Sequence, residues 1–117
     1  MKTKYLKNIA AEEVLLLTDL VEYKEGQIIS RTFVQNGAVS ITLFSFDKGE
    51  EISTHSSDGD AMVTILEGEA RITIGGREYD VSGGETIVMP AGIPHAVVAK
   101  TRFKMLLTVV FPLPAQK

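Results

Sequence analysis

The sequence predicts an all-β fold, a double-sheet jelly-roll barrel, on three observations. From Leu20 onward, short apolar-alternating runs are broken by turn residues every eight to twelve positions, the pattern of a sandwich or barrel. Two of the breaks, Asn36-Gly37 and Gly75-Gly76, have the composition of type I′ hairpin turns, whose central residues both need positive φ. No helical spacer of the kind parallel strands require separates the runs, so a continuous parallel sheet is excluded.

The runs, eight in number, are 27–35, 39–46, 61–67, 70–74, 77–81, 86–89, 95–99 and 103–111. Ahead of them, residues 8–17 read as one or two helical turns, because Asn8 can cap and Ala10, Ala11, Glu12 and Glu13 favour helix. An edge strand over 14–17 is the alternative. Pro112 and Pro114 close the last strand. With no internal repeat or linker, residues 1–117 read as one domain, and 44% apolar content is enough for one core.

Composition excludes several functions. The net charge is -3 and no run of Lys or Arg occurs beyond the first seven residues, so a nucleic-acid partner is not expected. The chain has no cysteine, which removes disulfides, thiolate nucleophiles and cysteine-based metal sites. Glu12, Glu13 and Asp19 interrupt the apolar run near the start. Neither an export signal nor a membrane span is expected, and the location that follows is cytoplasmic.

The histidines concentrate the interest. There are two, His55 and His95, each in a Gly/Pro-punctuated segment. Alternation puts His55, Ser57, Ala61, Val63 and Ile65 on one face, with Met62, Thr64 and Leu66 on the other. His95, Val97 and Ala99 share a face in the second segment. If the segments neighbour one another, both imidazoles project into the barrel.

Residues 49–68 contain Gly49, five residues, His55, one residue, Ser57, three residues, Ala61, six residues and Gly68. Residues 84–99 contain Gly84, Pro90, Gly92, His95 and Ala99, also in fixed spacing. These two segments resemble the two motifs of the cupin family, and the resemblance implies a small single-domain, RmlC-like double-stranded β-helix. It also implies a metal held by two histidines and a glutamate of the first motif with the histidine of the second. Here His55 and His95 stand at two of those places, whereas Ser57 and Ala61 occupy the other histidine place and the glutamate place.

The metal reading is therefore a divalent transition ion (Ni, Zn, Mn or Fe), weakly held by His55 and His95, because two neutral imidazoles bind less tightly than three plus a carboxylate. Water, a bound acid, Asp58 or Asp60 would complete the set. Strand alternation turns Asp60 outward, and a bulge would be needed to bring it in. No organic cofactor is implied.

Two functions stand. The first is a small-molecule-binding barrel that is a metal-dependent enzyme of the oxygenase, isomerase or lyase type the resemblance allows, or one in which a histidine serves as general base. The second is a non-catalytic ligand-binding or sensor barrel that has lost its metal, favoured by Ser57 and Ala61. Arg31, Thr32, Gln35, Ser40 and Thr42 are candidate polar groups of the ligand pocket. Met62, Met89 and Met105 with Phe44, Phe103 and Phe111 read as barrel filling and dimer packing. The strand 39–46 bears Val39, Ile41 and Leu43 beside Phe44 and Phe46, more apolar surface than one sheet face covers, which predicts a homodimer.

Overall fold

A computed structural model describes residues 3–113. Nine strands follow in chain order: β1 Ile28–Gln35, β2 Val39–Phe46, β3 Glu51–His55, β4 Asp60–Glu67, β5 Glu69–Ile74, β6 Arg77–Ser82, β7 Thr86–Met89, β8 His95–Ala99 and β9 Phe103–Val110. They form two antiparallel sheets, β1-β2-β9-β4-β7 and β3-β8-β5-β6. The all-β barrel is as expected. The strand absent from the sequence reading is β3, because Glu51-Ile52-Ser53-Thr54-His55 has one apolar residue and no alternation to reveal it.

The inward faces of the sheets pack together. Ala61, Val63 and Ile65 of β4 are buried with Ile72, Val97, Met105 and Val109, while Met62 is 44% exposed. At the centre the rings of Phe46 and Phe103 stack 4.4 Å apart, and such pairs add to the burial of their area. Met89 and Met105 fill the core, whereas Met62 faces outward on β4, on the face opposite Ala61, Val63 and Ile65 that alternation assigned to it.

A second apolar cluster lies on the outer face of the five-stranded sheet. The segment ahead of β1 crosses that face and lays Ile9, Leu17, Leu20 and Val21 over Phe33, Leu43, Ile29, Ile41 and Leu106. The same strand β2 thus buries Leu43 under this strap and Phe46 in the barrel, both at 0% exposure. The surplus apolar surface of β2 is met largely within the chain. Met62, Val88 and Val110 stay exposed.

Side chains of the barrel pin the strap by donating to its carbonyls. Arg31 reaches Asn8 O at 2.8 Å and Leu20 O at 2.7 Å, Ser45 reaches Glu22 O, and Lys104 reaches Thr18 O. Helical turns over 8–17 do not form, because Asn8 and Glu12 adopt positive φ of 61° and 59°, which an α-helix cannot contain. A single 3-10 turn, Leu17–Leu20, stands at the end of the strap. An edge strand over 14–17 is absent as well.

The hairpin turns differ from each other. Gly75 and Gly76 have φ of 56° and 83° and join Ile74 directly to Arg77, as a type I′ turn demands. Asn36-Gly37 is not such a turn: neither residue has positive φ, and Asn36 Oδ1 accepts from the amides of Ala38 and Val39. The asparagine side chain closes this loop, the local bonding that short amides favour. Pro112 follows β9; Pro114 lies outside the described residues.

Candidate functional site

β8 alternates buried and half-buried positions, and His95, Val97 and Ala99 are the buried set. His95 is therefore turned into the barrel at 3% exposure. β3 pairs with β8 so that His55 stands opposite His95, and β5 pairs on the other side with Ile74 opposite His95. One step along the strands, Ile52, Val97 and Ile72 form the layer behind them. His55, at the end of an edge strand, is exposed. The pair spans the boundary between core and solvent: His95 projects into the barrel as expected, and His55 is not buried there, because it ends an edge strand with no neighbour on its far side.

The rings meet edge to face, with centroids 4.3 Å apart and planes at 72°, and Nε2 of one is 3.2 Å from Nε2 of the other. Their outer nitrogens are held alike. Nδ1 of His55 lies 2.9 Å from Ser53 O, and Nδ1 of His95 lies 3.2 Å from Ile93 O, each a carbonyl two residues earlier. A carbonyl oxygen only accepts, so each Nδ1 carries the proton and donates it. In the neutral rings both Nε2 atoms are then acceptors, held 3.2 Å from one another. Burial lowers the pKa of His95, the His55 charge lowers it further, and the Ile93 carbonyl opposes both.

Two acceptors this close call for something electron-poor beside them both, a proton or a metal ion. Imidazole–metal bonds are about 2.0–2.1 Å, so 3.2 Å between nitrogens suits two rings sharing one ion. The Nδ1–carbonyl bonds match what orients metal-ligating histidines elsewhere. The donor set stops there: among the described residues no group of three His, Cys, Asp or Glu side chains could hold an ion.

The other candidates lie elsewhere. Asp60 faces outward at the start of β4, and its Oδ1 accepts from the Ala91 amide at 2.9 Å. Asp58 is exposed in the preceding turn. Ser57 Oγ accepts from the Gly59 amide at 3.2 Å, and Ala61 is a core residue at 2% exposure. Arg31 is committed to the strap, as described. Thr32 and Thr42 are cross-strand partners whose hydroxyls lie 3.4 Å apart, and Gln35 is exposed while Ser40 is half-buried. None of these five is brought to the histidine pair by strand pairing: β1 and β2 belong to the other sheet.

The sequence reading missed the role of the turn 90–94. Ala91 donates to Asp60, Gly92 donates to Ser57 O at 2.8 Å, and Gly75 donates to Pro94 O at 2.9 Å. Nothing in the local sequence announces those partners, which are distant in the chain.

A sequence model described as "Cupin domain" matches residues 42–111, more than half of the chain. Among curated proteins the chain is 31% identical over 83 residues to the HTH-type transcriptional regulator PuuR of Escherichia coli; the match covers 67% of this chain and 44% of that one. The chain thus spans under half the length of that relative. A crystal structure of a conserved protein of unknown function from Streptococcus pyogenes aligns with TM-score 0.94 and 54% identity, over 96% of this chain and 98% of the other. A cupin superfamily protein from Desulfitobacterium hafniense aligns with TM-score 0.88 and 38% identity, over 93% and 100%.

Proposed function

This chain belongs to the cupin family, and on that premise we propose that it is a small-molecule-binding barrel in which His55 and His95 hold a divalent transition metal. One observation carries the reading: both Nδ1 atoms donate to carbonyls, which leaves both Nε2 atoms as acceptors only 3.2 Å apart. Neutral imidazole with its far nitrogen so fixed is the form that ligates first-row ions.

Two neutral donors leave the charge of the ion uncompensated and most of its coordination open. An oxygen-bearing small acid or water completes the set. A bound ion would supply Lewis acidity toward an oxygen of that ligand. The residues of the chain do the rest: the exposed side of His55 admits the ligand, and the layer of Ile52, Val97 and Ile72 keeps water from the inner side of the rings.

Elemental analysis and calorimetry with nickel, zinc, manganese and iron test the metal. The expected result is uptake of one ion per chain, weak in buffer, abolished in the His55→Ala/His95→Ala double variant. A wild-type protein that takes up none of the four, or a double variant that binds as well as wild type, sinks the reading.

A second reading is favoured by the likeness to a transcriptional regulator: a sensor barrel that binds its ligand without chemistry. Ser57 and Ala61 at two ligand places support it. A ligand that raises the Tm of the metal-free protein and is recovered unchanged would favour the sensor over the enzyme.

A further inference from the structure

Asp60 opens β4 on the outward side, away from the imidazoles, and its Oδ1 accepts from the amide of Ala91, thirty-one residues later. The next amide, Gly92, donates to the carbonyl of Ser57. Two consecutive amides of the turn 90–94 thus bind the turn that leads into β4. The far side of the same turn is held by Gly75, whose amide donates to Pro94 O. His95 follows at once, and its Nδ1 meets Ile93 O within that turn.

The other half of the connection is equally close to the pair. Ser57 stands two residues beyond His55, and the turn 56–59 is pressed onto β9: a Cβ at Gly59 would stand 2.6 Å from Val110 O and 2.8 Å from a Val109 methyl. Contact of that kind leaves no room for the turn to move inward. The turns that flank the two histidines are therefore joined to each other, and one of them is seated on a third strand. Of the bonds that join the two turns, only Asp60 to Ala91 uses a side chain; the other is main chain to main chain.

We infer that Asp60 is a positioning residue for the imidazole pair: by holding the Ala91 amide it fixes the turn 90–94 and so sets His95 against His55. A charged acceptor on a backbone amide is among the stronger hydrogen bonds, which suits a side chain that must locate a ring within tenths of an ångström. The inference stands on the observed ring geometry and does not require a metal.

Histidine-ring NMR of the full chain, without metal at neutral pH, tests it. Wild type should show contacts between the two rings and the Nδ1–H form of His95. Asp60→Ala should lose the inter-ring contacts and shift the His95 ring nitrogens. Asp60→Asn, which keeps an acceptor at the same place, should restore them. Thr101→Ala removes an acceptor of the Glu69 amide at the other end of β8, and should cost stability with the rings unmoved. If Asp60→Ala does not fold, Asp60→Gln, with the acceptor displaced by one methylene, should shift the His95 signals.

Nickel titration of the same variants gives a second readout, with affinity lowered roughly tenfold or more in Asp60→Ala and recovered in Asp60→Asn. Wild-type ring spectra in Asp60→Ala, failure of Asp60→Asn to restore them, or the same ring changes in Thr101→Ala would overturn the assignment. A wild-type chain that takes no nickel overturns the metal reading alone, and the ring spectra still decide the part played by Asp60.

Discussion

His55 and His95 are cross-strand partners on β3 and β8, one exposed and one buried, and their Nε2 atoms come within 3.2 Å. Protonating both would place two positive charges at that distance, one of them out of water. The arrangement favours neutral rings, and the lowered pKa of His95, caused first by burial and then by His55, agrees.

A pH dependence follows. The folded-state pKa of His95 lies below its ordinary value of 6.5, so in that window the unfolded chain binds more protons than the folded one, and stability falls as pH falls. The Tm of the metal-free protein should decline as pH drops below about 6.5 and stay level above it, within the range of about pH 5–8 in which histidine titrates. His95→Gln should flatten the decline. A wild-type Tm that rises on acidification would contradict the assignment.

Two glycines with the same backbone and different surroundings should respond differently to alanine. Gly68 and Gly76 have φ of 80° and 83°, but a Cβ at Gly68 would stand 2.0 Å from Arg102 O and 2.7 Å from Phe103 Cα, whereas one at Gly76 meets nothing within 4 Å. Gly76→Ala should cost the left-handed penalty, about 1–2 kcal/mol. Gly68→Ala should cost well over ~2 kcal/mol, because rigid backbone must also move. Denaturant unfolding of both variants measures the difference.

Arg31 joins the strap to β1 by two bonds, to Asn8 O and Leu20 O. Arg31→Ala should lower stability by about 2 kcal/mol and speed hydrogen exchange at residues 3–21 selectively. Unchanged exchange there would mean that the apolar contacts of Leu17, Leu20 and Val21 suffice.

Phe103 stacks on Phe46 and both are fully buried. Phe103→Ala should cost about 3–5 kcal/mol by leaving a cavity, and Phe103→Leu much less. Thermal unfolding checks both, and equal losses would argue that the packing at that point is loose.

Much of the fold was legible because β-structure writes itself at short range. β2, β7 and β8 coincide with apolar runs of the sequence, and Gly75-Gly76 makes the turn its composition promises. β3 was illegible for the same reason: an edge strand with one apolar residue carries no periodic signal. Asn36-Gly37 looked like a backbone-driven turn, but the Asn36 side chain satisfied the amides instead. The helical reading of 8–17 rested on propensity, which tertiary contacts override; here the strap gains more by spreading Ile9 and Leu17 over β1 and β2 than a lone helical turn would by forming.

What the sequence determined by itself was the barrel and the placing of one histidine in each of its two glycine-punctuated segments, because turn glycines, strand phase and the spacing of His55 and His95 from them are local quantities. Only the tertiary structure decided that His55 meets His95, that Asp60 holds the Ala91 amide, and that the outer face of β2 is covered by the segment ahead of β1. Those outcomes depend on contacts between residues far apart in the chain, where burial and hydrogen-bond satisfaction are settled by which surfaces meet, and no local pattern records that.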